Sequence, residues 1–145
     1  MIEGFIDGIA AAIHEEFGDG YRIYTEAVPQ GLAEPCFFIY CIAPDHQLLR
    51  GNRFRRLYQF VVHYFPGSQE IHMECNRVIA RLQDCLEYVT ADGDLHRGID
   101  QSSTIDDGIL HFFVNFLFYV RKEEEKTMME DLEEEIEMMG GITIE

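Results

Sequence analysis

The sequence predicts an α+β fold: a largely antiparallel β-sheet with two main helices packed on one face, followed by an acidic C-terminal helix. Two segments carry apolar residues at the three-to-four spacing of a helix, whereas the other apolar segments are rich in aromatic and branched residues and end in turn residues. The connections between successive strands are short, which favours antiparallel neighbours. With 47% apolar residues in 145, we expect one α+β domain at residues 1–122 and an acidic helix with a short strand-like end at 123–145.

The first predicted helix covers residues 2–17. Its apolar side chains recur on one stripe: Ile2, Phe5, Ile6, Ile9, Ile13 and Phe17. The glycines at positions 18 and 20 end it, because glycine tolerates the left-handed cap conformation. Residues 21–25 then have the pattern of a short strand. A loop that contains Pro29, Gly31 and Pro35 follows it.

The next two strands are predicted at residues 36–43 and 53–65. The first is continuously apolar, which is typical of a strand covered on both faces. We expect Pro44 and Asp45 to start the turn that follows it. The second strand alternates large apolar residues on both of its faces.

The second predicted helix starts near Ser68, a favourable N-cap, and extends to Val89. A turn at residues 92–94 leads into a strand at 95–105. The Asp-Asp-Gly sequence at 106–108 predicts a hairpin turn, because Asp-Gly readily supplies positive φ.

The last strand of the predicted domain, residues 109–122, separates its two faces clearly. Its even positions are all apolar: Leu110, Phe112, Val114, Phe116, Phe118 and Val120. Its odd positions mix polar and apolar groups and include His111, Phe113, Leu117 and Tyr119. Two helices can cover only one face of the sheet, so we expect these four odd-position residues to lie on an uncovered face that forms a subunit interface.

The net charge of −16 is unevenly distributed. Residues 123–145 contain ten acids and one lysine and contribute −9. Such a chain is repelled by a phosphate backbone, which argues against direct nucleic-acid binding. Within this segment an apolar stripe predicts a helix that needs a partner surface: Met128, Leu132, Ile136 and Met139. A solvated acidic terminus is the alternative, and solubility alone is the simpler explanation of the charge.

Four arginines form a basic cluster in this acidic chain: Arg50, Arg53, Arg55 and Arg56. They are either an ordinary solubilising feature of an edge strand or the partner of an acidic surface on a neighbouring subunit. The second interpretation suits a ring, in which every subunit presents two different surfaces.

No catalytic, cofactor-binding or metal-binding motif is present. His72 and Cys75 share a helix face, but no second pair completes a tetrahedral site. The cysteine spacings favour reduced thiols over disulfides. No apolar run has the length of a membrane-spanning helix, and the first residues lack the basic region of a signal peptide, so we expect neither a membrane anchor nor export.

Two stretches resemble a tail terminator family found in phages and prophages of Gram-positive bacteria. The first is Ile-Tyr-Thr-Glu at 23–26, continued by Gln-Gly-Leu at 30–32 and Glu-Pro-Cys-Phe-Phe-Ile at 34–39. The second is Asn-Arg-Phe at 52–54, then Phe60 and His-Tyr-Phe-Pro at 63–66. The similarity covers roughly residues 2–122.

The resemblance implies a non-enzymatic virion protein with an α+β fold that forms a homo-oligomeric, typically hexameric, ring. That ring would cap the completed tail tube, stop its polymerisation and join it to the head completion protein. It would act in the virion tail after assembly in the host cytoplasm. DNA would pass through its lumen without specific binding, along an acidic wall that does not retain it.

Two other functions remain open on the sequence alone. A head–tail connector of the same virion differs from a terminator only in the protein it binds. A small binding module or enzyme that uses the aromatic face of the sheet would need a deep cleft with converging polar groups.

Overall fold

The computed structural model describes residues 1–26 and 30–123 and the backbone of residues 143–144. Within these residues the chain forms helices α1 (Ile2–Phe17) and α2 (Ile71–Cys85). Its strands are β1 (Arg22–Tyr24), β2 (Cys36–Arg50), β3 (Arg53–Phe65), β4 (Tyr88–Ala91), β5 (Asp94–Arg97), β6 (Ile99–Asp106), β7 (Ile109–Glu123) and β8 (Thr143–Ile144). The predicted α+β class is confirmed. The predicted acidic helix lies outside the described residues.

The main sheet has the strand order β1-β2-β3-β7-β6, and β8 also pairs with β7. Strands β6 and β7 are antiparallel, and the two-residue turn at 51–52 makes β2 and β3 antiparallel as well. The short β1 runs parallel to β2, with Arg22 opposite Cys36. The sheet is therefore mostly antiparallel, as predicted. Strands β4 and β5 form a separate hairpin.

The chain divides into two compact units. The larger unit contains Met1–Pro44 and Tyr58–Phe116, and the smaller unit contains Asp45–Leu57 and Leu117–Glu145. In the smaller unit, the described side chains are those of residues 45–57 and 117–123.

Both helices of the larger unit cover the same face of its sheet. Helix α1 buries Phe5, whose ring centroid lies 5.8 Å from that of Phe60 on β3 and 5.0 Å from that of Phe116 on β7. Helix α2 reaches the same face of β3, where the Tyr64 hydroxyl donates a hydrogen bond to the Glu74 carboxylate. The core therefore lies between this helical layer and the even-numbered residues of β3 and β7.

The turn predicted at Pro44 is wrong, because β2 continues through this proline to Arg50. Strand β1 pairs with β2 only as far as Phe38, so Pro44 lies where one side of β2 has no paired neighbour among the described strands. Proline, which lacks an N–H donor, is tolerated at such an edge. The reversal occurs instead at Gly51, whose positive φ of 59° suits a tight hairpin.

The second helix is shorter than predicted. It ends at Cys85, and Val89 is buried in β4 instead. The strand predicted at 95–105 is divided at Gly98, where an added Cβ would lie 2.3 Å from the carbonyl oxygen of Leu86. The turn predicted at 106–108 is confirmed, with positive φ at Asp107 and Gly108.

Candidate subunit interface

One face of the sheet in the larger unit carries a cluster of aromatic rings around His63. The imidazole of His63 lies 5.3 Å from the Tyr40 ring and 4.4 Å from the His111 ring, measured between centroids. The rings of Phe38 and Phe65 lie 6.1 and 6.5 Å from it. All five side chains are half-buried. We call these five residues the aromatic face.

Alternation along the strands produces this arrangement. In β7 the six even positions from Leu110 to Val120 are all buried, as predicted, and the odd positions 109–115 are half-buried. His111 and Phe113 therefore lie on the sheet face opposite the helices. The sequence prediction missed Phe38 and Tyr40, because it took residues 36–43 as covered on both faces. Their alternation with the buried Phe37 and Ile39 is the signal that places them here.

The electrostatics of this face suit contact with another apolar surface. Burial, reinforced by the charge of the neighbouring His111, lowers the pKa of His63 below its ordinary value near 6.5. His63 is therefore neutral at physiological pH. On the same strand as His111, the side-chain oxygen of Asn115 is buried and accepts no hydrogen bond from any described residue. A buried carbonyl group without a donor is unusual.

The smaller unit exposes a second surface around its β2–β3 hairpin. Leu48 and Leu49 are 61% and 51% exposed, and on β7 Leu117 and Tyr119 are 38% and 62% exposed. Large apolar groups that are exposed together in this way mark interaction sites more often than isolated ones do.

The four arginines predicted to form a basic cluster are all in the smaller unit, but their environments differ. Arg50 and Arg53 are exposed, and neither forms an ion pair with the described residues. Arg53 and Tyr119 line one groove of about 480 Å³. Arg55 is half-buried and donates to the Gln47 side chain at 3.2 Å.

Arg56 is buried and supports the hairpin from inside. Its Nε donates to Nδ1 of His46 at 2.9 Å, and the His46 ring stacks on Phe54 at 4.6 Å between centroids. The ammonium group of Lys122 lies 4.6 Å from the centroid of the Phe54 ring. Desolvation, together with the charges of Arg56 and Lys122, lowers the pKa of His46. The neutral imidazole can therefore accept the Arg56 hydrogen bond.

The remaining interface residues predicted from the sequence lie outside the described residues: Met128, Leu132, Ile136 and Met139. The other eight predicted interface residues lie in two groups. His111 and Phe113 belong to the larger unit, and the arginines, Leu117 and Tyr119 belong to the smaller one.

The described residues of the two units carry opposite net charges. The larger unit contains four arginines and sixteen acids, a net charge of −12. The described residues 45–57 and 117–123 of the smaller unit contain five arginines, one lysine and two acids, a net charge of +4. One chain thus offers both partners of an electrostatically complementary contact.

The four cysteines lie among the described residues, and their thiols are held in an unreactive form. All four cysteines are free thiols, and burial raises their pKa, to about 11 for Cys36 and about 12 for Cys85. Their thiols therefore stay protonated at neutral pH. Across residues 1–26 and 30–123, no three His, Cys, Asp or Glu side chains cluster as a metal site would require. No helix in that part of the chain combines the length and the apolar character of a membrane span.

Residues 4–128 match a family model described as phage tail terminator protein. Among curated proteins, none matches the sequence. The matched region contains α1 from residue 4 onwards, α2, the strands of the main sheet up to the end of β7, and the eight predicted interface residues described above. This chain belongs to the phage tail terminator family.

Proposed function

We propose that this protein caps the completed tail tube as a homo-oligomeric ring, stops tube polymerisation and forms the junction to the head. Family membership makes it a structural component of a phage tail. One observation gives the main support for its role as a ring that caps the tail tube. The sheet carries an aromatic face that the helices of its own larger unit do not cover.

A ring accounts for this face and for the separation of charge. A cyclic assembly places one surface of each subunit against a different surface of the next, so it needs two unlike, complementary surfaces on one chain. The basic described part of the smaller unit, residues 45–57 and 117–123, and the acidic larger unit meet that requirement. By analogy with other tail terminators, we take the ring to be a hexamer, assembled in the cytoplasm of a Gram-positive host.

The partners follow from the proposed position at the top of the tail. One rim of the ring would contact the tail tube protein, and the opposite rim would contact the head completion protein. DNA would pass through the lumen without specific binding, since an acidic wall repels phosphate. If the glutamates of residues 123–145 line that lumen, reversing several of them should slow DNA ejection. Normal ejection from intact particles would contradict this placement.

The first experiment measures the mass of the purified full-length chain by native mass spectrometry over a range of concentrations. We expect a hexamer that forms as concentration rises. The same material, added to polymerising tail tube protein, should stop elongation and label one end of each tube in electron micrographs. A strict monomer that also fails to bind tube ends would refute the proposal, and binding only to the head completion protein would favour the connector function.

A matched pair of variants tests whether the exposed apolar surface takes part. Tyr119→Glu places a charge on the exposed surface of β7 and should weaken ring formation. Leu95→Glu makes the same kind of change on β5, where the side chain is 67% exposed and no contact is proposed. Equal assembly of the two variants would exclude Tyr119 from the interface.

A further inference from the structure

We infer that the tip of the β2–β3 hairpin of one subunit inserts into an acidic, apolar groove on the larger unit of the next subunit. This inference rests on the proposed ring and names the two surfaces that meet in it. The hairpin tip is defined as residues 48–53.

The hairpin tip combines apolar and cationic groups. Leu48 and Leu49 are more than half exposed, and Arg50 and Arg53 flank the turn with their guanidinium groups in solvent. Exposing two adjacent leucines is unfavourable in water, so a partner surface that covers them would stabilise the assembly.

The tip is held in a defined shape before any partner binds. Its turn contains Gly51 in the left-handed conformation. The carbonyl oxygen of Asn52 accepts a hydrogen bond at 2.9 Å from the backbone N–H of Lys122. The Phe54 ring behind it is packed by His46 and Lys122. A preorganised tip loses less conformational entropy when it binds.

The groove lies in the larger unit, between the loop that precedes β2, the start of α2 and the β6–β7 turn. It has a volume of about 490 Å³. Five of its lining residues have apolar side chains and two are acidic: Leu32, Phe65, Pro66, Ile71, Ile109, Glu34 and Asp107. It thus offers apolar area for leucine side chains and two carboxylates for arginines.

The local field of the groove favours a cation. The start of a helix ordinarily attracts anions, but the negative charge of Glu74 in the first turn of α2 opposes this attraction. Glu74 accepts hydrogen bonds from the backbone N–H groups of Gly67 and Ser68, in the loop before the helix, both at 3.0 Å. These hydrogen bonds, with those from the Ser68 and Tyr64 hydroxyls, outweigh the opposing effect of burial and lower the pKa of Glu74 to about 2. The groove therefore has a third carboxylate beside it that stays ionised.

A second copy of the chain supplies both the apolar side chains and the cations that suit this groove. The tip supplies two leucines and two arginines, and the groove supplies apolar walls and two carboxylates. Tip and groove are different surfaces of one chain, so the contact is head-to-tail and can close a ring.

Reversing or removing the charges on each side, and then combining the two sets of substitutions, tests the contact in the full-length protein. The tip variant carries Arg50→Glu and Arg53→Glu. The groove variant carries Glu34→Arg and Asp107→Asn, since asparagine tolerates the positive φ of position 107. Arg77→Glu on α2 and Glu3→Arg on α1 are matched controls at exposed positions away from both surfaces. Circular dichroism verifies that each variant is folded.

We expect the tip variant and the groove variant each to self-associate about tenfold or more weakly than wild type in analytical ultracentrifugation, because like charges then face each other. The chain with all four substitutions should regain association. An equal mixture of the two variants should also associate, because each tip then faces an oppositely charged groove in an alternating ring.

Three results would overturn the contact. These are wild-type association by both variants, no recovery in the combined chain or the mixture, and a wild-type chain that stays monomeric at its highest soluble concentration. Loss of tube-end binding with unchanged self-association would assign the groove to the tail tube protein instead. Rings that recover as expected but do not cap tubes would refute the proposed function and leave the contact intact.

Discussion

At the scale of single residues, two titratable side chains make the stability of the fold depend on pH. His63 lies among aromatic rings on the aromatic face, and Glu74 receives four hydrogen bonds at the start of α2. Protonation of His63 destabilises the folded protein because it places a charge in a partly buried position. Protonation of Glu74 destabilises the folded protein because a carboxylic acid accepts those hydrogen bonds less strongly than a carboxylate does.

For His63 we predict that the free energy of unfolding falls as pH drops below about 6.5. The folded chain holds the pKa of His63 below its ordinary value near 6.5, so protons bind more readily to the unfolded chain. The stability is complete above that pH and is lost as pH falls through the folded-state pKa. Urea titrations at several pH values should show a smaller dependence in His63→Gln, and an unchanged dependence in the exposed control His72→Gln. Equal pH dependence of His63→Gln and wild type would contradict this prediction.

For Glu74 we predict that Glu74→Gln lowers the free energy of unfolding at pH 6 by about 2 kcal/mol, the usual magnitude for losing hydrogen bonds to a charged group. The pKa of this carboxyl is lowered from 4.5 to about 2, so its contribution is complete above pH 4.5 and disappears as pH falls toward 2. The difference between variant and wild type should therefore shrink at pH 3. Glu70→Gln, whose side chain makes no capping hydrogen bond, should stay within about 0.5 kcal/mol of wild type at both pH values.

At the scale of secondary-structure elements, close approach explains how α1 docks on the β4–β5 hairpin. A Cβ added at Gly8 would lie 2.2 Å from the carbonyl oxygen of Thr90 and 2.8 Å from a methyl carbon of Val89. The helix can approach β4 this closely only without a side chain at position 8. The glycine is unfavourable in a helix by about 1 kcal/mol relative to alanine, and the packing compensates for it.

We therefore predict that Gly8→Ala lowers the free energy of unfolding by about 1 to 3 kcal/mol, despite the better helix propensity of alanine. The control on the same helix is Gly4→Ala, whose Cβ would lie nearest to the side-chain carboxylate of Asp92. That carboxylate can rotate away, so Gly4→Ala should be neutral or stabilising. Thermal unfolding followed by circular dichroism distinguishes the two, and equal effects would show that the Thr90 backbone can shift.

At the scale of the whole molecule, charge is divided between segments of different sign. The larger unit carries −12, the described part of the smaller unit carries +4, and residues 124–145 contribute −8. Only the backbone of β8 is described beyond residue 123, and it pairs with the last residues of β7. Strand β8 therefore lies beside the end of β7.

We predict that deleting residues 123–145 breaks up the ring, as measured by native mass spectrometry. The deletion removes the predicted apolar stripe at 128–139 and the strand that pairs with β7. A second variant, with Glu133, Glu134 and Glu135 all changed to Gln, keeps the apolar stripe and removes charge alone. If the apolar stripe is what closes the ring, this variant should still assemble. An intact ring after the deletion would show that the segment has no part in closure.

Sequence alone determined the fold class, both helices and the core face of β7, because helical and strand periodicity are local properties of the chain. It also located the four arginines and the uncovered sheet face. It did not show that Arg56 is buried beneath the hairpin or that β2 continues through Pro44, because both depend on which strand lies beside β2.

Only the tertiary structure placed His63 beside His111, and Glu34 near Asp107 at one groove. These residues are 48 and 73 positions apart in the sequence. Strand pairing and helix docking bring such distant residues together, and no local pattern encodes their proximity.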